Sequence, residues 1–470
     1  MKTSRLIMLL CLFIFGFFSK GIAQADLAPV TNKQIATVEM LMQSFVNQAN
    51  LPGVSIAVGK GDELIYAKGF GYANVRERIK MTTQNELRTA SVAKVITATA
   101  IGKLLTERKL TLDEPIEKYI PYVPAQYANL TVRQLTSHTA GVVHRPKGMK
   151  YKKKEFKSIR ETVEAMKEDS LQFTPDTQYS YSTAAFNLLA AVIEGVSGMS
   201  YETYMHQEIF KPLGMNQTYP ENIKQLKKQS AKLYYIRKGK LKQERLTSAS
   251  YKIAGAGFRS TPVDLVKMMQ GYHNGFISKT VVDEMFASHQ LGNGESTEVG
   301  VVWRTSLDAF GNRVVEHAGS WRGARTVMVY YPEEELSVAI MINATCEVFI
   351  EETAHMIAQI FRSKSMEMDA ISLESQVAVL FQSNEGEKRY TGKFSLDNGV
   401  GELITDSKGF LKANPIFSLG TANDYVMITR YGILYFQLAD DEVGGKLYLY
   451  GTRNKVSTIQ KEPIAVMKLL

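Results

Sequence analysis

Ile35, Val38, Leu41, Met42, Phe45 and Val46 recur every three or four positions, a spacing that gathers them on one face and predicts a helix over about residues 31–50. Two short apolar runs, 54–58 and 63–67, then flank Gly59-Lys60-Gly61-Asp62 and read as a β-hairpin. Helical periodicity dominates from about residue 90 to 290. Strand-like runs return at 299–304, 313–316, 326–331 and 336–342, and a last helix is expected over about 348–362. Strands near both ends of a helical middle predict an α+β fold, with one antiparallel sheet assembled from distant parts of the chain, helices packed on it and a helical insertion beside it. Residues 364–388 read as a linker. Beyond them, alternating runs such as Lys446-Leu447-Tyr448-Leu449-Tyr450 are broken by turns at Asp397-Asn398-Gly399, Ser407-Lys408-Gly409 and Gly444-Gly445. They predict a small all-β domain over 389–470, a barrel or a sandwich.

The first residues follow a different pattern. A basic start (Lys2, Arg5), an apolar run over 6–18 and small residues at Gly21 and Ala23 read as a secretory signal peptide, residues 1–23, which leaves 24–363 as the main domain. The apolar run is shorter than the roughly 20 residues a membrane-spanning helix needs. The expectation is an exported protein, in a bacterial periplasm, with no membrane span in the mature chain. Cys11 falls inside that segment, so Cys346 is the single cysteine left, which excludes an intrachain disulfide and a thiolate metal cluster.

Composition narrows the function classes. With 470 residues, 45% hydrophobic and 22% charged, the chain has ample apolar material for two or three folded domains, which argues against disorder. Without Lys2, Arg5 and Lys20 the formal charge of +9 falls to +6. That is mildly basic, and aromatic residues do not interleave with basic ones, so no nucleic-acid partner is expected. The basic run over 145–160 reads as a solvated loop and is assigned no partner. Neither His-Glu-x-x-His nor Gly-x-Ser-x-Gly occurs, which disfavours zinc hydrolysis and an α/β-hydrolase. No metal or cofactor is expected. His138 reads as a scaffold residue, and Trp303 and Trp321 as residues that wall a pocket or pack in a core.

One motif carries chemistry. Ser91-Val92-Ala93-Lys94 is the chain's single Ser-x-x-Lys and opens an apolar stretch with helical character. Positions i and i+3 share a helix face, so the Lys94 amine can approach the Ser91 hydroxyl. A serine at a helix start also gains from exposed N–H groups and the positive dipole end, which stabilise developing negative charge. Two further segments complete a pattern, Tyr181-Ser182-Thr183 and His317-Ala318-Gly319-Ser320, supported by 130–141 and 254–265. In type, order and separation the three resemble the motifs of the serine β-lactamase and penicillin-binding protein superfamily, in its class C and D-Ala-D-Ala carboxypeptidase-like branch, over about residues 32–362.

The resemblance implies a β-lactamase/transpeptidase-like fold and an acyl-enzyme. Ser91 would be the nucleophile, Lys94 and Tyr181 would share the acid/base work, and the N–H groups of Ser91 and Ser320 would form the oxyanion hole. His317, Gly319 and Thr183 would face the substrate. A hydroxyl is a poor nucleophile at neutral pH and needs a neighbour to take its proton, which Lys or Tyr does only with a lowered pKa; an ammonium beside the phenol would favour the phenolate. Thr183 stands where the resembled loop usually carries Asn, a form similar to mitochondrial β-lactamase-like proteins. His317 replaces the usual lysine, and an imidazole with a pKa near ~6.5 is mostly neutral at pH 7. Arg322 and Arg325 are the candidates to bind a substrate carboxylate instead. The expectation is an exported serine hydrolase cleaving an ester or amide of a small molecule or peptide. The alternatives are a D-Ala-D-Ala carboxypeptidase or related peptidase, a weak β-lactamase, and a non-hydrolytic binding or scaffold protein.

Overall fold

The computed structural model describes residues 29–362, apart from 150–154, 238–239, 309–311 and 347, and beyond these the strands lying between 382 and 468. The expected signal peptide, 1–23, and residues 364–381 and 385–388 of the expected linker lie outside the described residues.

Helix α1 (Asn32–Gln48) starts where Thr31 and Gln34 cap it reciprocally: the Gln34 amide donates to Thr31 Oγ1 (3.1 Å) and the Thr31 amide to Gln34 Oε1 (2.9 Å). The hairpin follows as β1 (Gly53–Lys60) and β2 (Glu63–Asn74), with β3 (Ile79–Lys80) added at its edge. The returning strands are β4 (Arg304–Leu307), β5 (Arg313–Trp321), β6 (Ala324–Tyr331) and β7 (Leu336–Ile342). They join in the order β3-β2-β1-β7-β6-β5-β4, each neighbour antiparallel. Distant parts of the chain thus share one sheet, as the sequence pattern predicts.

Side-chain alternation divides that sheet into two cores. Val54, Ile56, Val58, Val327, Val329, Val338, Ile340 and Ile342 face α1 and α6 (Ile350–Arg362), whereas Ala57, Met328, Tyr330, Ala339 and Met341 face the helical lobe. Both faces are covered, which is why these strands read as nearly continuous apolar runs. A slip of one residue would exchange the two sets, so the cores fix the register.

The central helix of the lobe is α2 (Ala93–Thr106), buried almost without break from Ala93 to Gly102, as expected of a helix apolar on all sides. Against it pack α3 (Ala185–Ser197) and α5 (Lys279–Phe286), while α4 (Pro262–Gln270) packs on β1 and β7. Residues 299–304, expected as a strand, are not one. The Val301 and Val302 amides donate to Met285 (2.8 Å) and Thr136 (3.2 Å) carbonyls, and Val302 takes a φ of +74°. These valines are buried in a turn instead of a ladder, and the strand begins only at Arg304. Conversely, β5 runs past Glu316 to Trp321 because every residue from Val315 to Trp321 pairs with β6.

Beyond residue 382 eight strands form one antiparallel sheet, in which Ala465–Lys468 lies between Arg389–Leu396 and Gly444–Tyr450. Its first strand, Gln382–Asn384, falls inside the stretch expected as a linker.

Candidate active site

The chain reaches Ser91 along a constrained path. The two-residue strand Leu87–Arg88 pairs with Phe258–Ser260, and the Thr89 amide and hydroxyl both donate to the Phe258 carbonyl (3.0 Å each). Thr326, on β6, donates its hydroxyl to the Arg88 carbonyl (3.0 Å). Ala90 then adopts a φ of +46°, a left-handed conformation costing a non-glycine residue about 1–3 kcal/mol, which the surrounding contacts must hold in place. This sharp turn presents Ser91, within the 3-10 turn Ala90–Val92, directly at the start of α2.

One helical turn on, Lys94 is fully buried. Its Nζ lies 2.7 Å from the Gly255 carbonyl, 3.2 Å from Thr183 Oγ1 and 3.5 Å from Ser91 Oγ, with the Tyr181 and Phe186 rings at 4.9 and 5.1 Å. None of these neighbours is a carboxylate. Burial therefore holds the Lys94 pKa well below its usual 10.5 and favours the neutral amine. A neutral amine has two N–H bonds, which the Gly255 carbonyl and Thr183 hydroxyl accept, and one lone pair, which is left for Ser91.

Tyr181 bonds to Ser91 through its hydroxyl, and burial pushes it up to about 12, outweighing the Ser91 hydrogen bond and nearby Arg304. This reverses the expectation that an ammonium would make a phenolate: the pair rests as amine and phenol. The loop carrying Tyr181 is pinned by two histidines. The Ser182 amide donates to His138 Nδ1 (3.3 Å), the Thr183 amide donates to His144 Nδ1 (3.2 Å), and the His138 ring packs 4.5 Å from that of Tyr181.

On the facing edge, β5 brings Gly319 against the nucleophile. A Cβ on Gly319 would stand 2.6 Å from the Ser91 nitrogen and 2.9 Å from the Thr89 carbonyl, so glycine keeps the space before the Ser91 amide open. Ser91, Tyr181, Thr183, Ser320, Trp321 and Arg322 line one pocket of about 660 Å³, with Lys94 buried beside it. His317 is not among its walls. Its ring is buried with Nδ1 2.8 Å from the Ala318 carbonyl, and it lines a smaller cavity of about 150 Å³ beyond Tyr181, with His138, Tyr179 and Arg304. Burial, then Arg304, Lys94 and His138, keep His317 neutral, with its pKa well below 6.5.

The two candidate arginines separate. Arg322 lines the large pocket and meets Glu244 at 3.5 Å. Arg325 is turned away and spent on the Val348 carbonyl (3.3 Å) and Glu351 (3.5 Å). Trp321 walls the pocket, whereas Trp303 is wholly in the core.

Several residues at the site escape sequence reasoning. Arg88, buried, binds Glu221 and the Arg322 carbonyl (2.9 Å) and stacks 4.3 Å from Trp321, tying the pocket wall to the strand before Ser91. Arg259 shares the same Glu221 (2.7 Å). Arg145, Lys147 and Lys252 wall the pocket. Their only signal is that 145–147 adjoin His144 and that Lys252 precedes the 254–257 stretch. Nothing in the sequence couples Arg88 to a partner 133 positions away.

A family model described as Beta-lactamase matches residues 38–359. The chain belongs to the β-lactamase family. Among its relatives, penicillin-binding protein 4* of Bacillus subtilis is 28% identical over 312 residues, 62% of this chain and 67% of that one. The mitochondrial serine β-lactamase-like protein of Homo sapiens is 27% identical over 314 residues, 51% of this chain and 57% of that one. The chain thus spans little more than half the length of its mitochondrial relatives. Among solved structures, an octameric penicillin-binding protein homologue from Pyrococcus abyssi aligns with a TM-score of 0.59 at 23% identity, covering 92% of this chain and 100% of that one. A D-amino acid amidase from Ochrobactrum anthropi SV3 aligns at 0.55 and 21% identity, covering 66% and 92%. At these identities the structures establish a shared fold. Members of this superfamily are serine hydrolases: amidases, peptidases and β-lactamases.

Proposed function

We propose that this member of the β-lactamase family is an exported serine hydrolase that cleaves an ester or amide through an acyl-enzyme on Ser91. The observation that carries the reading is the bonding of Lys94, whose two N–H groups are engaged by Gly255 and Thr183 while its remaining side faces Ser91 Oγ.

Lys94 Nζ takes the Ser91 proton as Oγ bonds to the substrate carbonyl carbon, and the Ser91 and Ser320 N–H groups receive the oxyanion. The tetrahedral species collapses, the bond to the leaving oxygen or nitrogen breaks, and the Tyr181 hydroxyl protonates that atom. Lys94 returns its proton to the phenolate. Water then attacks the ester on Ser91 with the same pair reversed, and the acid is released. Thr183 is spent on Lys94 and offers no amide to an acyl-amide side chain.

Intact mass after exposure to a fluorophosphonate tests the nucleophile. Wild type should gain one adduct and Ser91→Ala none, whereas equal labelling of both would refute the assignment. Sequencing the mature N-terminus tests export, with cleavage expected near residue 23.

A further inference from the structure

Arg145, Lys147, Lys252 and Arg322 wall the large pocket, and among the described residues no Asp or Glu lines it. Arg322 has Glu244 at 3.5 Å; the other three meet no carboxylate within ion-pairing distance among the described residues. The loop bearing Arg145 and Lys147 is built into the wall. Pro146 and Met149 are buried, and the Lys147 amide donates to the Asp169 carboxylate (3.2 and 3.1 Å). Opposite, the Lys252 amine stands 3.9 Å from the Trp321 ring centroid and 5.3 Å from that of Tyr251. Burial, then Lys94, Arg88, Arg145 and Arg322, depress Lys252 to about 6, so at neutral pH its amine is mostly neutral until an anion bound beside it favours the ammonium. Cations crowded into a concave, partly apolar site repel one another and concentrate a positive field there. Among the described residues, Glu244 beside Arg322 is the one carboxylate within ion-pairing distance of these four, and an anionic ligand would balance the rest.

The geometry points to an anionic substrate: the moiety seated in the large pocket carries a carboxylate that docks on Arg145 and Lys252, flanked by Lys147 and Arg322, while its carbonyl lies at Ser91. This rests on the acyl-enzyme reading above and adds the chemical class of the substrate. It also explains why a loop whose sequence reads as solvated is folded against the pocket.

Matched esters test it. Mono-p-nitrophenyl glutarate is compared with p-nitrophenyl valerate, which has the same chain length and leaving group but no acyl charge. The valerate ester of 4-hydroxy-3-nitrobenzoate places the charge on the leaving group instead. At least one anionic ester should exceed p-nitrophenyl valerate in kcat/KM by about tenfold or more, and the arm that does so identifies the charged half. The ratio of anionic to neutral kcat/KM is read within each variant, so losses common to both esters cancel. Lys252→Gln and Arg145→Gln should each bring that ratio to about threefold or less, and Lys252→Arg should restore it. No preference for either anionic ester, or a preference that survives both glutamine substitutions, overturns the proposal. Binding of monomethyl glutarate, followed by tryptophan fluorescence, separates this from failure of the acyl-enzyme reading. If Ser91→Ala and wild type are equally inactive, binding weakened by Lys252→Gln still supports the anion site, and binding unchanged in that variant refutes it.

Discussion

Gly319→Ala is the sharpest probe of the geometry around the nucleophile. The added methyl carbon would stand 2.6 Å from the Ser91 nitrogen, 2.9 Å from the Thr89 carbonyl oxygen and 3.0 Å from Ala90 Cβ. Two of these three neighbours are backbone, on a turn already held at a φ of +46°, so no side-chain rotation relieves the contact. Restoring an ordinary 3.4 Å separation requires the Ser91 amide and β5 to part by about 0.8 Å, the difference between 3.4 and 2.6. A displacement of about 1 Å at a reacting centre costs roughly 10²-fold in rate, and losing one oxyanion donor costs about 10²–10³ in kcat. Gly319→Ala is therefore expected to lower kcat for p-nitrophenyl butyrate by about 10²–10³ with KM changed by less than about threefold, since the donor acts mainly on the transition state. Overpacking of this kind costs about 1–3 kcal/mol of stability, so rates are taken well below the melting transition measured for the same sample. A folded Gly319→Ala enzyme within about fivefold of wild type would show that the Ser91 amide is not an oxyanion donor.

Lys94→Met should lower kcat by about 10²–10⁴ by removing the base while keeping the side-chain volume, and a loss under about tenfold would move that role elsewhere. The acylation rate should rise with pH through the depressed Lys94 pKa and stay flat until Tyr181 loses its proton near about 12. A basic limb climbing up to 10.5 would contradict the neutral amine. On the far face of the sheet, Glu316 accepts from His355 Nε2 at 2.8 Å. Burial alone would raise Glu316 and lower His355, but Arg304 and His355 hold the carboxyl below 4.5, and Glu316 holds the imidazole above 6.5. The carboxylate's contribution is present above 4.5 and fades as pH falls, and the imidazolium's is complete below 6.5 and fades as pH rises, so the pair contributes most between those values. Glu316→Gln should cost about 3–5 kcal/mol in denaturant melts at about pH 5.5 and less at pH 9, whereas an equal loss at both would show that the pair does not titrate as described.

Much of this architecture is legible in the chain. The nearly continuous apolar runs that become the cores of β1, β6 and β7 are visible because both sheet faces are buried and most positions there are apolar or small. Residues 299–304 mislead for the same reason, since burial in a turn and burial in a ladder select the same valines. At the site, Ser91 and Lys94 can be paired from their spacing alone, because one helical turn fixes their proximity. Their protonation states cannot, because these depend on which groups from 183 and 255 surround the amine, and those approach from other elements. His317 and Arg325 show a related limit. Strand alternation says that neighbours point to opposite faces, but which cavity a face opens on is decided by packing, and here it turns His317 toward the smaller cavity and Arg325 toward Glu351.

A single-turnover experiment with p-nitrophenyl butyrate bears most directly on the nucleophile and its base. Mixing, acid quenching within the first turnover and peptide mapping should find about one p-nitrophenol released per chain and the butyryl group on Ser91, with Lys94→Met slowing that release by about 10² or more. Butyryl on any other residue, or hydrolysis at wild-type rate in Ser91→Ala, would contradict the account.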